Sequence, residues 1–142
     1  MTQPPIPSGL RSGQIADREN AIYHVFVRDL VLTCSIGIHS HEKTTPQRVR
    51  LNIDLGVAEP SDPFNDRYET IVDYETVTNS VKALLDRGHV NLVETLAEDI
   101  AAVCLQNYRV RVARIRVEKI EIMPEAGSVG VEIERHQRSG VA

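Results

Sequence analysis

The sequence is poor in aromatic residues: tryptophan is absent, and aromatic side chains make up only 4% of its 142 residues. A core must therefore be built from Val, Ile, Leu and Ala, and the chain has little with which to stack nucleic-acid bases. The formal net charge of −4 points the same way, because binding to a phosphate backbone normally needs a basic surface. We expect no nucleic-acid partner.

Cysteine is also scarce, and neither Cys34 nor Cys104 lies in a CxxC or zinc-finger spacing. Their apolar neighbours indicate small buried side chains in a reducing compartment. The sequence also lacks an apolar run that approaches a membrane span, and its first 20 residues lack the apolar core of a secretory signal. We therefore predict a cytoplasmic protein with no membrane partner.

The length and the composition, 42% hydrophobic and 25% charged, fit one ordinary globular domain. Proline, serine, glycine and charged residues near the N-terminus predict a flexible tail over residues 1–20. The folded domain should cover residues 21–136, followed by a C-terminal tail over residues 137–142. Residues 58–67 are rich in Pro, Asp and Asn, which indicates a surface loop within that domain.

The first part of the domain predicts an antiparallel hairpin. Ordered structure should begin near Ile22. The mixed alternation of apolar and polar residues that follows is typical of a long strand that is bent or bulged near Arg28 and Asp29. Residues 49–57 then alternate cleanly, with Val, Leu or Ile at every odd position. The two strands should share one apolar face, and Glu42 lies in the loop between them.

Two amphipathic helices are predicted next. Asp73 is a suitable N-cap for the first, which should end near Arg87 and Gly88. Its expected apolar face comprises Tyr74, Val77, Val81, Leu84 and Leu85. A short turn leads into the second helix, so the pair should lie roughly antiparallel and cover one face of a sheet.

The second helix begins in the segment VNLVETLAEDIAAVCL, residues 90–105. Asn91 reads as its N-cap, and Glu94 is spaced to close a capping box. Residues 92, 96, 100 and 103 recur at near-helical spacing on the core-facing side. Glu94 therefore has two interpretations: a cap carboxylate, or an acceptor that holds a ligand with adjacent N–H donors.

The last third returns to strands, which gives the order ββααββ and an α+β class. In the third strand the apolar positions are odd up to Val117, but they become even at Ile120 and Ile122. A bulge or a strand end at Lys119 would explain this change. Lys119 then either points towards an apolar face, which is unusual for a lysine, or extends into solvent.

Two polar clusters have simple structural interpretations. His39 and His41 flank one residue beside Glu42, and polar turn residues are a simpler interpretation than a pair of metal ligands. A basic strip near three glutamates reads first as an ion-paired sheet face, and second as a phosphate site. The strip comprises Arg109, Arg111, Arg114 and Arg116, and the glutamates are Glu118, Glu132 and Glu134.

Five segments together resemble the dihydroneopterin aldolase family of folate biosynthesis, over roughly residues 22–135. They are IGIHSHEKTTPQ, VDYETV, VNLVETLAEDIA, VEKI and VGVEIER, in the order and approximate spacing of that family. The resemblance implies the tunnelling fold, an antiparallel four-stranded sheet with two helices on one face. It also implies a homo-tetramer or homo-octamer ring with active sites between subunits.

The resemblance implies a site for a small pterin substrate. Glu94 would anchor the pterin by accepting from its N3–H and 2-amino groups, and backbone groups at Val72 and Val93 would also meet the ring. Lys119 would be the catalytic proton acceptor, directly or through water, and Tyr74 would relay or return a proton. Glu42 would lie near the substrate side chain. Without the resemblance, Tyr74 would read as a residue packed at a helix start.

The reaction implied is retro-aldol cleavage of 7,8-dihydroneopterin into 6-hydroxymethyl-7,8-dihydropterin and glycolaldehyde. The substrate's own N5=C6 imine is the electron sink, so the lyase needs no cofactor, metal or Schiff base. Two alternatives remain open: an epimerase acting on dihydroneopterin or its triphosphate, and a ring subunit that binds pterin without catalysis. The chain departs from many family members at Ile120, where a proline often follows the lysine.

Overall fold

Four antiparallel strands form one sheet in the order β1-β2-β3-β4, in a computed structural model that describes residues 13–138. The elements in chain order are β1 (Ile22–Cys34), α1 (Ser40–Thr44), β2 (Gln47–Ala58), a 3₁₀ turn (Tyr68–Thr70), α2 (Tyr74–Leu85), α3 (Val93–Leu105), β3 (Val110–Lys119) and β4 (Val129–His136). The predicted α+β class and ββααββ order are therefore confirmed, with a short extra helix, α1, between the first two strands. No helix within residues 13–138 is long and apolar enough to cross a membrane.

The register between β1 and β2 shifts between Val27 and Leu30. Asp29 lies inside this shift with a φ of +55°, and its N–H donates to Oδ1 of Asn52 at 2.9 Å. The strand is therefore bulged where its alternation breaks, as predicted. The bulge keeps the apolar residues on both sides of it against the core: Val25, Val27, Leu30 and Leu32.

The core lies between the sheet and the two long helices. The odd-numbered residues of β2 from position 49 to position 57 are all buried, as their alternation predicts: Val49, Leu51, Ile53, Leu55 and Val57. The second helix contributes Leu96, Ala97, Ile100, Ala101 and Cys104. Asp73 caps α2 as predicted, because its side chain accepts from the backbone N–H of Glu75 at 3.0 Å. That helix buries Val81 and Leu84 and ends at Leu85, slightly before the predicted position.

The start of α3 differs from the prediction. Leu92, not Asn91, is the N-cap, and no side chain among the described residues caps this helix. The predicted capping box is therefore wrong, since Glu94 lies one position too early to reach back to the cap. The physical reason is the extended bridge between Val90 and Ile36, which keeps the chain out of the helix until Val93. Glu94 remains in the first turn, where a negative charge interacts favourably with the helix dipole.

The face of the sheet away from the helices is charged and largely paired. Arg50 donates two hydrogen bonds of 3.0 Å to Glu118, and Arg114 lies 2.8 Å from Glu134. Arg116 lies 3.6 Å from Glu132. The prediction of an ion-paired face is thus confirmed for Arg114 and Arg116. The other two arginines of the strip donate to backbone carbonyls, Arg109 to Glu69 and Ile71 and Arg111 to Tyr108.

The same face also carries residues that precede β1. Ile15 is buried, and its side chain packs over Gly56, where an added Cβ would lie 3.0 Å from Cγ2 of Ile15. Asp17 forms an antiparallel bridge with Ile22. The remainder of the two predicted tails, residues 1–12 and 139–142, lies outside the described residues.

Candidate active site

Lys119 is the last residue of β3 and faces the core. It pairs in register with Val49 and follows Ile115 and Val117 on the same side of the strand, and both of these residues are fully buried. β3 ends at Lys119, and a strand end was one of the two predicted explanations for the change of alternation. The lysine side chain is only 16% exposed, and its Nζ lies 2.6 Å from Oε2 of Glu42. A charged group on an apolar face is therefore paired.

Glu42 lies in α1, although the sequence predicted only a loop there. It is 2% exposed and has three donors. Besides Lys119, Oε2 accepts from Nε2 of Gln47 at 2.9 Å, and Oε1 accepts from the backbone N–H of His39 at 3.3 Å. Burial alone would raise the pKa of Glu42, but the hydrogen bonds from Lys119, Gln47 and His39 outweigh it and hold the pKa at about 2. Glu42 is therefore ionised at neutral pH.

Gly37 makes room for this buried carboxylate. An added Cβ at position 37 would overlap the carboxyl atoms of Glu42, and φ is +131°, a conformation that favours glycine. Gln47 supports the same region, because its amide donates to the carbonyl of Ile36 at 2.8 Å as well as to Glu42. Gly37 and Gln47 were not predicted to belong to the site. A glycine between two isoleucines just before Glu42 was the available signal.

The start of α3 is joined to this region through the backbone. The N–H of Gly37 donates to the carbonyl of Val90 at 3.0 Å, and the N–H of Val90 donates to the carbonyl of Ser35 at 3.1 Å. Val93 and Glu94 follow within the next turn of chain, and the side chain of Glu94 is exposed. Three predicted site residues, Glu42, Lys119 and Glu94, therefore belong to the same end of the sheet.

Tyr74 and Val72 lie elsewhere in the chain. Tyr74 is 62% exposed and lines a shallow depression with Val25 and Leu55. Ile53 and Leu55, which line the same depression, lie about 13 and 20 Å along β2 from Val49, the partner of Lys119, at about 3.3 Å per residue. Within one chain, Tyr74 and Lys119 therefore lie well apart.

Val72 is buried and lines a cavity of about 340 Å³ between the 3₁₀ turn, α2 and the end of α3. Cys104 and Val110 line the same cavity. Because β3 begins at Val110 and ends at Lys119, this cavity lies at the opposite end of the sheet from the buried ion pair. The structure thus divides the predicted site residues into two groups.

The remaining candidates have no site around them. The rings of His39 and His41 stack at a centroid distance of 5.8 Å, and residues 13–138 contain no group of three or more metal-ligating side chains. Both cysteines are buried and unpaired, as predicted. Burial raises the pKa of the Cys34 thiol to about 11, against a smaller opposing effect of the nearby Lys119 charge. Burial also raises the pKa of the Cys104 thiol to about 12. Neither thiol is a reactive nucleophile at neutral pH.

Comparison with known proteins gives consistent matches. A family model described as dihydroneopterin aldolase matches residues 25–134. The chain is 28% identical to the dihydroneopterin triphosphate 2′-epimerase of Pseudomonas aeruginosa, over 84% of this chain and 97% of that protein.

Solved structures give the same result. A Burkholderia dihydroneopterin aldolase bound to guanine is 32% identical with a TM-score of 0.73, and the match covers 83% of this chain and 93% of that one. The Escherichia coli dihydroneopterin aldolase in complex with neopterin is 26% identical with a TM-score of 0.74, covering 80% of this chain and 98% of that one.

Proposed function

The chain belongs to the dihydroneopterin aldolase family, and we propose that it cleaves 7,8-dihydroneopterin into 6-hydroxymethyl-7,8-dihydropterin and glycolaldehyde in folate biosynthesis. The observation that carries the proposal is the ion pair between Lys119 and Glu42, which lies beside the start of α3. We assign the activity to residues 21–136, and the family match over residues 25–134 lies within that range.

Glu94 anchors the pterin in this proposal. Its carboxylate is exposed at a helix start and is not used as a cap, so both oxygens are available to accept from the N3–H and 2-amino groups. Backbone groups at Val93 meet the ring from the same segment. The relatives bound to guanine and to neopterin support a ligand of this chemistry, since both ligands present adjacent N–H donors on one ring edge.

The chemistry is a retro-aldol cleavage. The 2′-hydroxyl loses its proton, the C1′–C2′ bond breaks, and its electron pair moves into the N5=C6 imine while C2′ becomes the aldehyde carbon of glycolaldehyde. A proton then adds at C1′ and gives the hydroxymethyl product. Lys119, directly or through one water, exchanges these protons, and Tyr74 relays or returns one of them.

The proposed route needs neither a Schiff base nor a metal, because the C1′–C2′ electron pair has an acceptor within the substrate. Glu42 is ionised, and its Oε2 lies 2.6 Å from Nζ of Lys119, so the ion pair holds the lysine side chain in place. The electron sink is then the substrate's own imine, and the protein's contribution is positioning and proton transfer.

We also propose that the protein is a homo-tetramer or homo-octamer with active sites between subunits. Two observations support this proposal. Within the described residues, β4 and the part of β1 beyond Ile22 each leave one edge unpaired, and such edges favour pairing with another chain. Val72 and Tyr74 lie far from Lys119 within one chain, so a complete site would take them from a neighbouring subunit.

A cytoplasmic location forms part of the same proposal. Its support is the state of Cys34 and Cys104, which are both buried and unpaired, as is usual in a reducing compartment.

The second candidate is epimerisation, which is favoured by the similarity to the Pseudomonas enzyme. It would use the same deprotonation and the same cleavage of the C1′–C2′ bond. The bond would then re-form on the opposite face of the aldehyde, which inverts C2′ and releases no glycolaldehyde. The deciding experiment incubates purified protein with dihydroneopterin and separately with its triphosphate, and measures glycolaldehyde and the 2′-epimer. We expect glycolaldehyde from free dihydroneopterin. Epimer without glycolaldehyde would assign an epimerase, and pterin binding without either product would assign a non-catalytic subunit.

A further inference from the structure

His89 lies in the turn between α2 and α3 and uses both ring nitrogens. Nδ1 lies 2.7 Å from Oγ of Ser35, and Nε2 lies 2.7 Å from the carbonyl oxygen of Gly37. A carbonyl oxygen can only accept, so Nε2 carries a hydrogen. Nδ1 accepts from the Ser35 hydroxyl in the neutral ring and donates to it in the charged ring. The hydrogen bond to Gly37 is therefore kept in both states.

Gly37 connects this imidazole to the buried ion pair. Its Cα lies directly against the carboxylate of Glu42, because an added Cβ would overlap the carboxyl atoms. Any movement of Gly37 would therefore change the space that Glu42 occupies. Since Nζ of Lys119 is 2.6 Å from that carboxylate, the position of the lysine also depends on Gly37.

In the other direction, His89 connects to Glu94, the proposed pterin anchor. Val90 follows it directly and pairs with Ile36 in a short parallel bridge. The chain then enters α3 at Val93, and Glu94 lies in the first turn. His89 thus lies between the two groups that the proposed reaction must bring together.

We propose that His89 is a positioning residue that fixes the distance between the Glu42–Lys119 pair and the carboxylate of Glu94. This inference rests on the proposed function, in which Glu94 holds the pterin and Lys119 exchanges protons with its side chain. Reacting groups must lie within about 3.5 Å of each other, and a displacement of about 1 Å can lower turnover by about 100-fold. Without His89, the backbone bridge between Val90 and Ile36 would remain, but the carbonyl of Gly37 would lose its side-chain donor.

Two substitutions of His89 separate positioning from simple loss of a side chain. His89→Gln places an amide nitrogen close to the position of Nε2 and can keep the bond to Gly37. His89→Asn places its amide closer to the position of Nδ1 and cannot reach Gly37. His89→Ala removes both bonds, and His136→Ala, at an exposed position at the end of β4, is the control for loss of a histidine.

We expect His89→Ala and His89→Asn to lower kcat for dihydroneopterin by about 10-fold or more, while neopterin affinity changes by less than about 3-fold. His89→Gln should stay within about 3-fold of the wild-type kcat. The assays are run below the melting temperature of each variant. Equal kcat for the Gln and Asn variants, or melting temperatures that fall while every kcat stays at the wild-type value, would make His89 an ordinary turn residue.

A second readout does not depend on turnover. In ¹⁵N-labelled protein, the ammonium resonance of Lys119, assigned by its loss in Lys119→Ala, reports the ion pair directly. We expect it to broaden or shift in the Ala and Asn variants and to stay in place in His89→Gln. A wild-type protein that binds neopterin but releases no glycolaldehyde would refute the proposed function. An ammonium resonance that is unchanged in every variant would overturn the role of His89 in either case.

Discussion

The Nζ atom of Lys119 lies 2.6 Å from Oε2 of Glu42, although the two residues are 77 positions apart in the chain. The two ends of this pair differ in exposure, since the side chain of the lysine is 16% exposed and that of the glutamate 1%. The lysine side chain is therefore partly open to solvent, whereas the carboxylate is enclosed. Loss of Lys119 should change the chemistry, whereas loss of Glu42 should change where the lysine lies.

Lys119→Ala should lower the rate of cleavage by about 100-fold or more, the usual contribution of a positioned acid–base group. Neopterin should still bind, because Glu94 is untouched. Single-turnover cleavage with pre-bound dihydroneopterin measures the chemical step by itself. Lys82→Ala, at an exposed position of α2, is the matched control. Near wild-type cleavage by Lys119→Ala would remove this lysine from the mechanism.

Glu94→Gln should weaken neopterin binding by about 1 to 3 kcal/mol, because an amide cannot accept on both sides as a carboxylate does. The melting temperature should stay close to that of the wild type, since Leu92 is the N-cap and Glu94 does not cap the helix. Calorimetric titration and thermal unfolding give the two values. Asp99→Asn, at an exposed position further along α3, is the control. Unchanged affinity would contradict the role of Glu94 as the pterin anchor.

Stability at low pH should depend on Glu42. Its folded-state pKa of about 2 lies below the ordinary value of 4.5, so its contribution is fully present above about pH 4.5 and is lost as the pH falls towards 2. Urea unfolding of the wild type and of Glu42→Gln, from neutral pH down to about pH 3, should give a smaller loss of stability with falling pH in the variant.

Glu118 provides the comparison for that measurement. Hydrogen bonds from Arg50 and then Ser128, against a smaller effect of burial, lower its pKa to about 2 as well, but it faces the opposite side of the sheet. Glu118→Gln should flatten the pH dependence in the same way while leaving kcat unchanged, whereas Glu42→Gln should alter both. Identical pH profiles for the wild type and Glu42→Gln would show that the carboxylate is not held ionised by its three donors.

Mixing two inactive variants should restore activity if each site takes residues from two subunits. Lys119→Ala retains Tyr74, and Tyr74→Phe retains Lys119, so some sites of a mixed ring receive both wild-type residues. Random co-assembly of equal amounts, after unfolding and refolding together, should recover about a quarter of wild-type turnover. The same mixture without unfolding is the control. Activity no greater than the mean of the two variants would indicate a site within one subunit.

Most of the fold was readable from local patterns, because alternation and capping depend on neighbours in sequence. The five buried positions from Val49 to Val57, the bulge at Asp29 and the Asp73 cap all follow from such patterns, and all are present. The error at Asn91 has the opposite cause. An asparagine is a good N-cap in isolation, but the bridge from Val90 to Ile36 on a distant segment moves the helix start to Val93.

The site was predictable only in part for the same reason. Residue type and spacing drew attention to Glu94 and Lys119, and the resemblance added Glu42. Besides Lys119, the donors to Glu42 are Gln47 and the His39 backbone, and neither has a distinctive pattern. Its space comes from Gly37, whose one signal in the sequence is its position between two isoleucines. His89 contacts Ser35 and Gly37 across more than fifty residues of chain, so sequence spacing could not indicate its partners.

The long sequence separation within the Lys119–Glu42 pair also has a kinetic consequence. Lys119 reaches Glu42 only after β3 has paired with β2, and that pairing must bring Lys119 opposite Val49 across the intervening helices. Contacts between such distant segments form slowly because a large loop must close first. Helix content should therefore return before activity during refolding, and Lys119 is in place only in chains whose central strands have reached their correct register.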